Sequence, residues 1–111
     1  MATGIQNAIT IELDATASTL ASYTLPRAGR VVDVLIQDIA GIAGNITATL
    51  AGSNLFTVAL ALPASADALV RAVSIVDSAA DGAAGEALVF SSSGFGSRYK
   101  VFVTFLTPVV V

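Results

Sequence analysis

The chain has 111 residues, enough for one domain and too few for a second core of useful size. It carries 5 basic and 8 acidic side chains, net −3, with 55% hydrophobic residues and a mean hydropathy of +0.84. This excludes disorder, which needs low hydrophobicity and high charge. It also argues against a solitary monomer, because so few charges cannot cover a folded surface of roughly 5,600 Å².

The chain reads as short β-runs separated by Gly, Asn, Ser and Pro. Residues 1–7 are expected to form a short N-terminal arm, and residues 8–111 one domain. Ile9, Ile11 and Leu13 alternate with Thr10 and Glu12, which predicts a half-buried strand. A second run, Leu20 to Leu25, is closed by Pro26. Gly29 is expected to turn the chain with a positive φ, Pro26 fixing the entry. The run Arg30 to Gln37 is predicted to bury Val32, Val34 and Ile36. Residues 38–45 read as a loop with two glycines. Ile46, Ala48 and Leu50 then alternate with threonines, Gly52-Ser53-Asn54 turns, and Phe56, Val58 and Leu60 alternate again: a hairpin.

Residues 64–78 admit two readings. Ser65 could cap a short helix carrying Leu69, Val70, Val73 and Val76 on one face. Equally, Leu69, Arg71, Val73 and Ile75 have the strand period. A loop over 79–86 leads to a strand Ala87 to Ser91, a Ser/Gly turn over 92–97, and a long strand Arg98 to Thr107. In that last strand Tyr99, Val101, Val103 and Phe105 share one face, while Lys100, Phe102, Thr104 and Leu106 share the other. About eight strands with frequent turns predict an all-β protein, an antiparallel β-sandwich or jelly roll. The predicted core holds Val32, Val34, Ile36, Leu50, Phe56, Val58, Leu88, Phe90, Val101 and Val103.

The chemistry is narrowed by what is missing. With neither Cys nor His, disulfides, Cys/His zinc sites, Cys nucleophiles and the Ser-His-Asp triad are out of reach. Arg27, Arg30, Arg71, Arg98 and Lys100 are scattered in a chain of pI near 4.4, so no nucleic-acid partner is expected. The start lacks the basic and apolar regions of a signal peptide, and no apolar run reaches 18 residues, so no membrane partner is expected.

Asp77, Asp81 and Glu86, spaced by Gly82 and Gly85, have the look of a calcium loop. Counting from Asp77, however, position 3 is Ala79 and position 12 is Leu88, so a solvated acidic loop is the reading. Gly94-Phe95-Gly96-Ser97-Arg98 is a turn and not a phosphate cradle, since no helix follows. Asn45-Ile46-Thr47 matches a glycosylation sequon. The carboxylate pairs Asp33/Asp38 and Glu12/Asp14 lack the groups that would organise a catalytic site. Neither an enzyme nor a cofactor is expected.

Two stretches carry a resemblance. One is Leu25-Pro26-Arg27-Ala28-Gly29-Arg30-Val31-Val32-Asp33-Val34, a Pro-x-x-Gly turn leading into an apolar strand. The other runs from Ala83 to Phe90, then through a Gly/Ser turn to Arg98-Tyr99-Lys100-Val101-Phe102-Val103-Thr104. Together they resemble the head decoration, or cement, proteins of tailed phages. That resemblance implies a small β-sandwich or jelly roll, a homotrimer, and binding between capsomers on the outer surface of the virion, with the major capsid protein as partner.

Low charge and an apolar last strand place the expected oligomer or capsid contact at Phe102, Thr104, Leu106, Val109, Val110 and Val111. The alternatives are another virion component, such as a head-fibre base, tail or baseplate piece, or a ligand-binding β-sandwich using Tyr23, Tyr99 and Phe95.

Overall fold

A computed structural model describes residues 6–15, 20–72, 74–93 and 98–108. Its strands are β1 (Gln6–Ala15), β2 (Leu20–Thr24), β3 (Gly29–Asp38), β4 (Gly44–Leu50), β5 (Ser53–Asn54), β6 (Leu60–Leu62), β7 (Leu69–Arg71), β8 (Asp81–Gly82), β9 (Ala87–Ser92) and β10 (Tyr99–Pro108). One 3₁₀ turn spans Asp77–Ala79. The segment left open between helix and strand therefore holds a short strand, β7, and no α-helix among the described residues. Residues 1–5 of the expected arm lie outside the described residues, and Gln6 and Asn7 belong to β1.

The strands form two antiparallel sheets. Sheet A runs β1-β10-β3-β7, with β8 also on β3, and sheet B runs β2-β9-β4-β5, with β6 also on β4. The pairing is nested: first strand with last, second with ninth, and the third and fourth with the short strands between them. The two sheets pack as a sandwich whose core is shared between them.

Period-two alternation decides which side chains enter that core. Tyr99, Val101, Val103 and Phe105 of β10 point inward and are buried, opposite Leu88 and Phe90 of β9 and Ile46, Ala48 and Leu50 of β4. Phe56 and Phe90 meet with ring centroids 6.2 Å apart. Eight of the ten predicted core residues are buried, and two are not.

Val32 is 41% exposed because β3 carries a bulge. Thr104 faces Asp33, but the next residue, Phe105, faces Val31, so Val32 is the extra residue and Val31 takes the inward position. Val58 is 72% exposed for a different reason. The hairpin partner leaves β4 after Asn54, and Phe56 bridges to Ile75 before pairing resumes at Leu60. The amide of Val76 donates to the Leu55 carbonyl at 2.7 Å, so Leu55 and Phe56 are both buried and the parity beyond them is lost.

Gly29 also departs from expectation. Its φ is not among the positive values, and the chain does not reverse there but crosses from sheet B to sheet A. Its surroundings are close instead: Gly29 opens β3 opposite Gly82 of β8, and a Cβ on it would meet Thr107 Cγ2 at 3.3 Å, a tight contact. A Cβ on Gly82 would lie 2.8 Å from Leu25 Cδ2. The positive φ values fall instead at Gly41, Gly52 and Gly85, and at Ala51 and Asp67.

Candidate interaction surfaces

The expected contact residues Phe102, Thr104 and Leu106 lie together on the outer face of sheet A, along its central strand, each half-buried. Val109, Val110 and Val111 lie outside the described residues. The register sets their neighbours. Phe102 lies between Glu12 and Leu35, Thr104 between Thr10 and Asp33, and Leu106 between Ala8 and Arg30. The hydroxyls of Thr10 and Thr104 share a hydrogen bond of 3.0 Å.

Charges frame this stripe. Lys100 pairs with Glu12 at 3.4 Å and Arg71 with Asp33 at 3.4 Å. Arg30 donates to Asp81 at 2.9 Å and also to Asp77. The hydrogen bond to Asp81, with the negative charge of both aspartates, holds the Arg30 guanidinium above its ordinary pKa. The acidic loop is thus built into a clasp on β3. Glu86 accepts the Ala83 amide at 2.6 Å, closing its other end. Among the described residues no three His, Cys, Asp or Glu side chains are grouped as a metal would need.

The outer face of sheet B is different in kind. Its outward side chains are Leu20, Ser22 and Thr24 of β2, Ala87, Val89 and Ser91 of β9, and Asn45, Thr47 and Thr49 of β4. They line up in cross-strand rows, Leu20–Ser91–Thr47 and Ser22–Val89–Thr49–Asn54. Thr47 and Ser91 join their hydroxyls at 3.0 Å. None of these positions carries Asp, Glu, Lys or Arg. Neutral hydroxyl and amide groups are far cheaper to take out of water than charges, most of all where they already bond one another as Thr47 and Ser91 do. The signal for this face was present in the sequence: residues 39–66 and 87–97 contain no Asp, Glu, Lys or Arg.

The third feature is a cleft of about 210 Å³ on the side where β1 and β2 form the ends of their sheets. Ile9, Ile11, Tyr23, Leu25 and Phe105 make it apolar, and Arg27 and Thr107 add polar groups. Tyr23 and Phe105 rings meet across it at 6.1 Å.

The remaining sequence candidates are dispersed. Tyr99 is fully buried in the core, and burial pushes its phenol up to about 12. It therefore cannot form an aromatic rim with Tyr23, and Phe95 lies outside the described residues. Asp38 is buried, taking the Gly41 amide on one oxygen at 3.0 Å, while Asp33 faces outward to Arg71, so that pair is not brought together. Glu12 is on the outer face of β1 with its charge committed to Lys100.

Fold and surfaces define a two-sheet antiparallel sandwich with one charge-laced and one uncharged outer face. No family model, characterised protein or solved structure matches this chain. No helix among the described residues is long and apolar enough to cross a membrane.

Proposed function

We propose that this chain is a virion structural protein, a decoration (cement) protein that binds the outside of a tailed-phage capsid between capsomers and stabilises the shell. The observation that carries the reading is the uncharged outer face of sheet B, a surface suited to being covered. The segments that resemble cement proteins support it: Leu25–Gly29 makes the crossing into β3, and Ala83–Phe90 and Arg98–Thr104 supply β9 and β10. The nested pairing, first strand with last and second with ninth, supports the jelly-roll form.

In this mechanism no bond is made or broken. A chain that binds only the assembled shell stabilises it by mass action, by about 2.7 kcal/mol per site at a hundredfold excess over Kd. Sheet B meets the capsid and sheet A, with its ion pairs, faces solvent. Self-association adds to the effect, since linked subunits bind with avidity.

The test is cosedimentation of the purified chain with shells of the phage whose genome encodes it. Saturable binding that survives from 50 mM to 500 mM salt is expected, because the contact holds no charge pairs to screen. No binding to intact or emptied shells overturns the reading. Binding to isolated tails in place of heads moves the protein to another virion component.

A further inference from the structure

We propose that the free edge of β1 pairs with a second copy of this chain, β1 to β1, antiparallel about a two-fold axis centred on Thr10. The argument begins with the four sheet edges. An open edge is a row of unpaired backbone groups, and proteins blunt such edges with short strands, Pro, Lys or bulges. Three of the edges here are blunted. β7 and β8 are only three and two residues long. β5 and β6 are equally short and are separated by the excursion over residues 55–59. β2 has five residues, with Pro26 just beyond its end.

β1 is ten residues long and has none of these devices; its two charged side chains, Glu12 and Asp14, are at exposed positions on the outer face of the strand. It runs Gln6–Ala15 without Pro, Gly, Lys, Arg or a break in its register with β10. Along Ala8–Leu13 its second edge has no strand partner among the described residues. Those six residues offer about 20 Å of pairing edge. Directly behind them, Ile9 is 40% exposed and Ile11 is only partly covered, because the cleft leaves this side of the core open. An unprotected edge and an unfinished core coincide on one strand.

Charge chooses the register. A symmetric pairing must keep outward residues opposite outward ones, so only every second register is allowed. Setting Glu12 opposite itself puts like charges in direct contact, and setting it opposite Thr10 leaves the two Glu12 side chains as diagonal neighbours about 7–8 Å apart. Centring on Thr10 places Glu12 opposite Ala8 and the two carboxylates about 14 Å apart. It also lays Ile9 of each copy against Ile11 of the other, over the cleft. Registers shifted further toward the strand start pair fewer residues. The product is a closed dimer, where the resemblance implied a trimer.

The chain has no cysteine, so single substitutions report the register without interference. Analytical ultracentrifugation of the intact chain at 1–100 µM should show a monomer–dimer equilibrium. Thr10→Lys, at an exposed position that sets like charges on the axis, should raise the dissociation constant at least tenfold with the fold intact by circular dichroism. Thr10→Cys should cross-link to a dimer on mild oxidation, while Ala8→Cys should do so only when mixed with Glu12→Cys. A monomer throughout, a trimer, or a dimer that Thr10→Lys leaves untouched overturns the pairing. Stronger self-cross-linking of Ala8→Cys than of Thr10→Cys overturns the register. Shell binding by a Thr10→Lys monomer separates this result from the function proposed above.

Discussion

The outer faces of the two sheets solve the same solvation problem in opposite ways. Sheet A keeps Phe102, Leu106 and Leu35 at its surface and surrounds them with Lys100–Glu12, Arg71–Asp33 and the Arg30 clasp. Sheet B has no charge to deploy and presents Ser, Thr and Asn, of which Thr47 and Ser91 join their hydroxyls, with Leu20 and Val89 between them. A face of ion pairs resists burial, since each charge loses its water; a face of neutral hydroxyls and amides resists it far less. Apolarity and the distribution of charge therefore point to different faces for a contact. Phe102, Thr104 and Leu106 are the apolar choice, and the face behind β9 is the uncharged one.

The sharpest way to test this contrast is to separate the shared core from the two faces. Phe90→Ala, in the core on β9, should destabilise by about 3–5 kcal/mol in chemical denaturation. Val89→Thr, next to it on the uncharged face, should change stability by less than about 0.5 kcal/mol. Equal losses at the two positions would mean that the outer face of sheet B is structural and not a free surface.

Sheet A's inner face has a titration of its own. Burial raises the Tyr99 phenol to about 12 from its ordinary 10, so the unfolded chain loses this proton first as pH rises. The stability tied to the neutral phenol is fully present below pH 10 and is lost progressively up to about pH 12, to the extent of about 2–3 kcal/mol. Urea midpoints measured from pH 8 to 12 should fall accordingly, and Tyr99→Phe should flatten the upper part of that curve. An unchanged slope in the variant would place the loss elsewhere.

The faces themselves are distinguished by charge. Thr47→Lys, or Thr49→Glu, should leave stability within about 1 kcal/mol, since each is an outward substitution on a paired strand. Either should weaken shell binding at least tenfold in cosedimentation, because a lone charge would have to be buried. The double substitution Lys100→Gln with Glu12→Gln on sheet A should cost about 0–1 kcal/mol and leave shell binding as it was. The reverse pattern would return the contact to Phe102, Thr104 and Leu106.

Much of this arrangement is legible in the sequence where one strand's alternation suffices. Tyr99, Val101, Val103 and Phe105 can be assigned to the core from β10 alone, and the second apolar face of that strand is equally plain. Val32 and Val58 cannot, because their exposure follows from what the neighbouring chain does: a bulge set by the step from Thr104 to Phe105, and a departure from β4 that pairs Phe56 with Ile75. Gly29 reads as a turn glycine because nothing local reveals that Thr107 approaches it from β10. The uncharged face lies between these cases. Its charge-free runs are visible at 39–66 and 87–97, but only the pairing of β4 with β9 shows that they form a single surface.

The hairpin that bounds this face carries the smallest and most local effect. Leu50 and Ser53 are paired, so Ala51 and Gly52 are the two central residues of the turn, and both have positive φ, at 53° and 83°. A two-residue hairpin turn of this kind matches the right-handed twist of its strands and favours Asn-Gly. Gly52 meets the requirement without strain, but Ala51 places a Cβ in the left-handed region, at about 1–2 kcal/mol. Asn reaches that region more readily because its side chain bonds the local backbone. Ala51→Asn, at an exposed position, should therefore stabilise by about 0.5–1 kcal/mol in urea unfolding, and Ala51→Val should destabilise by at least as much. The gain belongs to β4 and β5 alone, so shell binding and self-association should both stay unchanged. A neutral Ala51→Asn would mean that the turn relaxes out of the left-handed region, and the register of β5 on β4 would have to be redrawn with it.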